Sequence, residues 1–228
     1  MNRHLRLAIP RGNHFEDLSR QFELAGIPLV PDNVGYTEIE FEGALWSLEV
    51  ISVSAADMGT YVERGAVQMG VMSTDAIHEM RVDVWRPYTF NCGSAPIILA
   101  ARSDQTLARL HSLPHLRLAT SIPRFTREWF SARGFNIEVV SVQEDQQRAV
   151  QMGLADGYVA LLYDADSIVS QGFRALDQLG VSELKMVVNN ATSSHRREFI
   201  KFIMKKLEEH RLPAPPPIVI PYDTEDPR

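Results

Sequence analysis

The sequence predicts an α/β fold built as two lobes with a central cleft. Three observations predict it. Short apolar runs alternate with helix-period segments along the whole chain, which argues for parallel-rich sheets with helices on both faces. Most of these runs end in a small polar turn able to cap a following helix. Leu99-Ala100-Ala101 gives way to polar Arg102 to Thr106, so a second sheet begins near residue 91. On this reading residues 1–90 form lobe I, completed by about 180–212; residues 91–179 form lobe II; and 213–228 are a Pro-rich tail. One larger sheet would give the same periodicity.

Leu5 to Ile9 reads as a buried strand, and Pro10-Arg11-Gly12-Asn13 as a turn. His14 to Leu24 has helical spacing, with Phe15, Leu18 and Phe22 on one face and Gly26 at its end. Thr37 to Glu42 alternates as a strand, Gly43 turns, and Leu45 to Val53 is the next strand. Ser54 to Asp57 can cap a helix over Met58 to Arg64, stopped by Gly65. Val67 to Met72 is a buried strand, Ser73-Thr74-Asp75 a cap, Ala76 to Met80 a helix, and Val82 to Pro87 an extended segment. A small-residue loop, Asn91 to Ser94, precedes the strand Pro96 to Ala101. Leu116 to Thr120 is a strand, Arg124 to Arg133 a helix ended by Gly134, Ile137 to Val142 a strand, and Glu144 to Met152 a helix. Tyr158 to Leu162 is a strand that turns at Tyr163 to Ser167 into a helix ending at Gly172. Glu183 to Val188 is the last strand, Ser193-Ser194 caps a long helix to about His210, and Pro213 to Pro217 ends regular structure, leaving a tail or an arm onto a partner.

Composition bounds the function. A net charge of -6 argues against an electrostatically driven nucleic-acid binder. One cysteine, Cys92, excludes an intramolecular disulfide and a Cys-rich zinc site, and fits the reducing cytoplasm; it reads as a packing residue. No run of about 18 apolar residues marks a membrane span, and no apolar segment marks a signal peptide. His111 and His115 have H-x-x-x-H spacing, but Pro114 between them argues for a surface loop over a zinc site. Trp46, Trp85 and Trp129 read as packing residues.

Several segments, in order from about residue 5 to 200, resemble one family. Pro10-Arg11-Gly12 stands where the family has P-K-G. Asp57 to Gly65 matches D-I-P-x-Y-V-E-x-G, and Gln68 to Asp75 matches D-L-G-I-x-G-x-D. Arg117 to Phe130 follows R-V-A-T-K-Y-P-x-x-T-R-x-Y-F, Gly153 to Asp156 is G-L-A-D, and Val188 to Thr192 follows V-N-x-A-S. The chain thus resembles the short-form catalytic subunit of ATP phosphoribosyltransferase, of histidine biosynthesis. The resemblance implies two lobes of the type II periplasmic-binding-protein kind and a small-molecule ligand in the cleft. It implies transfer of phosphoribose to N1 of ATP with Mg²⁺, a homodimer, and a regulatory subunit resembling histidyl-tRNA synthetase.

The family's phosphate loop, A-D-x-I-V-D-x-V-E-T-G-T-T-L-R-A-N-G-L, is altered here. Ala160 replaces its second Asp and Tyr163 its Glu; Asp164-Ala165-Asp166-Ser167 stands for T-G-T-T, and Val169 replaces Arg. Two acids facing a phosphate dianion repel it, each by on the order of 4 kcal/mol at about 4 Å and an effective dielectric near 20, unless a bound Mg²⁺ inverts the sign. Asp164 and Asp166 read either as a cap and a first-turn acid or as a carboxylate pair able to touch Mg²⁺. The remaining ligand candidates are Arg11, Ser73, Thr74, Asp75, Ser94, Thr120, Ser121, Tyr163 and Ser167. Arg11 reads as an anion contact or a surface residue, Ser73 and Thr74 as helix caps or ligand contacts, and no catalytic residue is assigned. Two further functions fit the altered loop: an enzyme on the same scaffold with a different small substrate, or a non-catalytic small-molecule-binding or regulatory paralogue.

Overall fold

The computed structural model describes residues 3–12, 14–29 and 35–220. Asn13 and the tail beyond Ile220 lie outside the described residues. The chain forms two compact units, Met1–Gly93 with Glu183–Pro215, and Ser94–Ser182 with Pro216–Arg228.

The first unit opens with β1 (His4–Pro10), α1 (Phe15–Leu24), β2 (Gly35–Phe41), β3 (Ala44–Val53), α2 (Ala55–Glu63), β4 (Met69–Ser73), α3 (Thr74–Met80) and β5 (Val84–Thr89). The second holds β6 (Ala95–Arg102), α4 (Leu107–His111), β7 (Leu116–Thr120), α5 (Pro123–Ser131), β8 (Ile137–Ser141), α6 (Gln146–Gln151), β9 (Gly157–Leu161), α7 (Ala165–Ser170) and β10 (Phe173–Ser182). The chain then returns to the first unit as β11 (Leu184–Asn189) and α8 (Ser194–Glu209).

The first sheet has the order β2-β3-β1-β4-β11-β5 and the second β10-β6-β9-β7-β8. The strand period of two sorts side chains between the faces. Leu5, Leu7 and Ile9 of β1 join Phe22 of α1 and Phe199 of α8 in one cluster, while Ala8 joins Met58, Val62 and Ile77 under α2 and α3. The second sheet is likewise covered on both faces, Ala149, Val150 and Ile168 packing on one and Leu110 and Phe130 on the other.

The expectation of parallel-rich sheets needs correction: four of the nine strand pairings are parallel and five antiparallel. One cause is the turn Glu42-Gly43, whose two positive φ values, 52° and 69°, make a tight hairpin of β2 and β3. Another is β10, absent from the sequence reading, which returns antiparallel along β6. A second correction concerns His111, which ends α4 rather than lying in a loop. Its ring packs 4.3 Å from that of Phe135, and its Nε2 is buried without a hydrogen-bond partner among the described residues. Trp85 lies on the edge strand β5 and is one-third exposed, whereas Trp46 is buried and Trp129 donates its indole N–H to Leu179 O at 2.8 Å. Ile218 and Ile220 of the Pro-rich tail pack against the cluster that contains Tyr158 and Ile168.

Candidate functional site

Open α/β sheets bind ligands outside the carboxyl ends of their parallel strands, where helices begin. In the first unit, β3, β1 and β4 are parallel neighbours that end at Val53, Pro10 and Ser73 and lead into α2, α1 and α3. In the second unit, β9, β7 and β8 end at Leu161, Thr120 and Ser141 and lead into α7, α5 and α6. All eleven nominated residues fall on these two edges.

On the first edge, Arg11 follows β1. Its backbone N–H donates to Val53 O at 3.1 Å and its Nε to Ser52 Oγ at 3.3 Å, which ties the guanidinium to the end of β3. Gly12 has φ +112°, a conformation L side chains rarely adopt, so this turn needs glycine. Ser73 occupies the N-cap of α3, but its hydroxyl makes no capping bond. Thr74 Oγ1 instead accepts from Glu183 N at 3.1 Å, and Thr74 N donates to Glu183 O at 2.9 Å, which pins the start of β11 beside β4. Asp75 lies in the first turn of α3, and its field reaches His14 at the head of α1. Burial lowers the His14 pKa, with Asp17 and Asp75 opposing.

On the second edge, Ser94 is exposed just before β6, whose start pairs with the end of β9. The Thr120 hydroxyl is buried and engaged within its turn, accepting from Ile122 N at 3.0 Å; Ser121 is half-buried. Asp164 is the N-cap of α7, its Oδ1 accepting from Asp166 N at 3.0 Å. The Ser167 hydroxyl donates to Asp164 O at 2.8 Å. Asp164 thus supplies, within the chain, the negative group that a helix start attracts. Asp166 is exposed beside it, and Tyr163 and Val169 are 45% and 54% exposed. Among the described residues, no three His, Cys, Asp or Glu side chains gather as a metal-holding group. Cys92 is buried, and its thiol is pushed up to about 11, by burial first and then by Asp17, so it stays protonated at neutral pH.

Other matched motif residues are structural. Arg117 and Asp156 form a two-pronged ion pair, Nη2 to Oδ1 at 2.9 Å and Nε to Oδ2 at 3.3 Å, between the starts of β7 and β9. Burial works against the Asp156 carboxylate, but hydrogen bonds from the Arg117 side chain and backbone outweigh it and hold the carboxyl below its ordinary value. Asn189 donates to Val62 O at 2.8 Å and Glu63 O at 2.9 Å and so closes the end of α2.

The sequence reading did not nominate Lys185. It lies on β11 opposite Met72 of β4 and Thr89 of β5, and its Nζ donates to Thr89 Oγ1 at 2.7 Å and Glu183 Oε2 at 2.9 Å. A lone lysine breaking an apolar strand, Leu184-Lys185-Met186, was the available signal.

The family model described as HisG, ATP phosphoribosyltransferase, matches residues 54–209. The chain belongs to the ATP phosphoribosyltransferase family. Among its relatives, the ATP phosphoribosyltransferase of Deinococcus deserti is 28% identical over 207 residues, covering 90% of this chain and 92% of that protein. The enzyme of that name from Citrifermentans bemidjiense is 24% identical over 210 residues, covering 90% and 97%. Among solved structures, the ATP phosphoribosyl transferase (HisG:HisZ) complex from Thermotoga maritima aligns with TM-score 0.72 and 21% identity, over 90% of this chain and 98% of that one. A glycine-to-alanine mutant of arginine-bound ArgBP from T. maritima aligns with TM-score 0.55 and 13% identity, over 90% and 95%. The fold of this ATP phosphoribosyltransferase family member is therefore of the periplasmic-binding-protein kind. No helix among its described residues is long and apolar enough to cross a membrane.

Proposed function

We propose that the protein is an ATP phosphoribosyltransferase of histidine biosynthesis. The N1 lone pair of ATP forms a bond to C1 of phosphoribosyl diphosphate as the bond from C1 to the pyrophosphate oxygen breaks. The observation that carries this reading is the family match over residues 54–209, which includes the β4 end of the first edge and the whole of the second. Named relatives are phosphoribosyltransferases, which favours this activity over another small substrate or a non-catalytic role.

The chain's part is positioning and charge placement. Arg11, held to Ser52, presents a cation at the first edge, where Ser73, Thr74 and Asp75 begin α3. Tyr163 to Ser167, with Ser94, Thr120 and Ser121 at neighbouring strand ends, form the second edge and receive the phosphoribosyl part. Asp164 spends one oxygen on the Asp166 N–H, leaving its other oxygen and the exposed Asp166 carboxylate as hard oxygen donors. That set suits Mg²⁺, which takes one or two carboxylates together with substrate phosphates. When bound, the ion neutralises phosphate charge that these acids would otherwise repel. The protein works in the cytoplasm as a homodimer, together with a regulatory subunit resembling histidyl-tRNA synthetase; the HisG:HisZ complex of T. maritima supports the second subunit.

The test is incubation with ATP, phosphoribosyl diphosphate and Mg²⁺, following the absorbance rise of the N1-alkylated adenine. Product formation supports the assignment. No product, with no thermal shift on adding phosphoribosyl diphosphate and Mg²⁺, refutes it.

A further inference from the structure

Of the four lysines in the chain, Lys201, Lys205 and Lys206 lie on α8, and Lys185 lies apart from them on β11. Its directly opposite neighbour on β4 is Met72, one residue before Ser73, so the two side chains share the face under α2 and α3. It therefore belongs to the first strand-end edge, with β4 lying between it and the β1 end that carries Arg11. The Lys185 side chain is 21% exposed and that of Glu183 47%. A partly desolvated ammonium beside a half-exposed carboxylate is weak as a stabilising device, since apolar packing at such a site does as well or better. Thr89 and Glu183 take two of its three N–H donors, and among the described residues the third has no acceptor.

We propose that Lys185 is a substrate-binding residue, its ammonium receiving a phosphate oxygen of a di- or triphosphate group at the first edge. Thr89 and Glu183 hold it in place. The inference rests on the phosphoribosyltransferase reading and deepens it, because both substrates of that reaction carry the required chemistry. A charge-assisted contact of this kind is worth roughly tenfold in affinity.

The test compares wild type with Lys185→Met and Lys185→Arg. Calorimetry gives Kd for pyrophosphate, ATP and phosphoribosyl diphosphate separately, and melting temperature is followed in parallel. Lys185→Met should weaken pyrophosphate and at least one substrate about tenfold, with the melting temperature nearly unchanged and Lys185→Arg recovering most of the loss. The substrate whose affinity falls identifies the source of the phosphate. Equal Kd values for all three ligands in wild type and Lys185→Met overturn the proposal. Should that variant not fold, Glu183→Gln decides: relieved of its counter-charge, Lys185 should bind pyrophosphate more tightly, and unchanged or weaker binding overturns the idea. A wild type with neither turnover nor a thermal shift on adding phosphoribosyl diphosphate and Mg²⁺ refutes the assigned activity, while the Kd values for pyrophosphate and ATP still judge Lys185.

Discussion

Asp166→Asn separates the two consequences of the altered loop. The Asp166 backbone N–H still meets Asp164 Oδ1, so the helix cap survives and one exposed negative charge is lost. A unit charge pair at about 4 Å is worth roughly 1 kcal/mol in water and on the order of 4 at an effective dielectric of 20. Asp166 is exposed and salt screens it further, so the lower figure applies, about fivefold in affinity. The assay is calorimetric titration of phosphoribosyl diphosphate at a series of Mg²⁺ concentrations. At limiting Mg²⁺ the variant should bind about fivefold more tightly than wild type. At saturating Mg²⁺ the order should reverse, because the ion gains from the carboxylate that the bare phosphate avoids. Superimposable Mg²⁺ dependences would refute the reasoning, placing Asp166 outside the phosphate's field.

Other perturbations probe the scaffold. Asp164→Ala should lower stability by about 1 kcal/mol through loss of the α7 cap, and Asp164→Thr should retain most of it, both read from urea midpoints. Gly59→Ala, at a buried helix position, should destabilise by about 1–3 kcal/mol despite better helix propensity, since the new methyl would meet Val82 Cγ1 at 2.6 Å and Met80 Cε at 2.8 Å; a stabilised variant would contradict the packing. The depressed Asp156 carboxyl adds stability that is complete above the ordinary carboxylate pKa and lost as pH falls through the folded value, so Asp156→Asn should flatten that acid limb of denaturant stability. His111, lowered chiefly by burial with Asp177 opposing, gives stability present above its ordinary pKa of 6.5 and lost as pH falls below it; His111→Phe should shallow the stability profile there.

The strands that sequence alone located are uninterrupted apolar runs, such as Leu5 to Ile9, whose Leu5, Leu7 and Ile9 pack on one face and Ala8 on the other, or an alternating run, Thr37 to Glu42. Strand β10 escaped because two register shifts, between Ala175 and Asp177 and between Gln178 and Gly180, break the period of two within ten residues. Helix α4 spans five residues, too few for a 3.6-residue period to show, and Pro114 nearby pointed to a loop. The strand-to-helix turns carrying Arg11, Ser73, Thr120 and Asp164 were legible because caps are local. Lys185 was not, because its partner Thr89 lies 96 residues away in sequence and becomes a neighbour only through the β11 pairing.

The matched and the altered family positions also differ in kind. Val62 is fully buried, Asn189 closes α2, and Asp156 braces β7 against β9. A change at any of these leaves a cavity or an unsatisfied polar group, which costs about 1–3 kcal/mol or more. Tyr163, Asp164, Asp166 and Val169 are exposed, and substitution at such sites usually moves stability by about 0.5 kcal/mol or less unless a cap is lost. Asp164 caps α7 here, and Asp serves at an N-cap as well as Thr does. The scaffold therefore sets little restraint on this loop. The two carboxylates at this strand end make charge the property to vary, with Mg²⁺ as the variable that decides between attraction and repulsion.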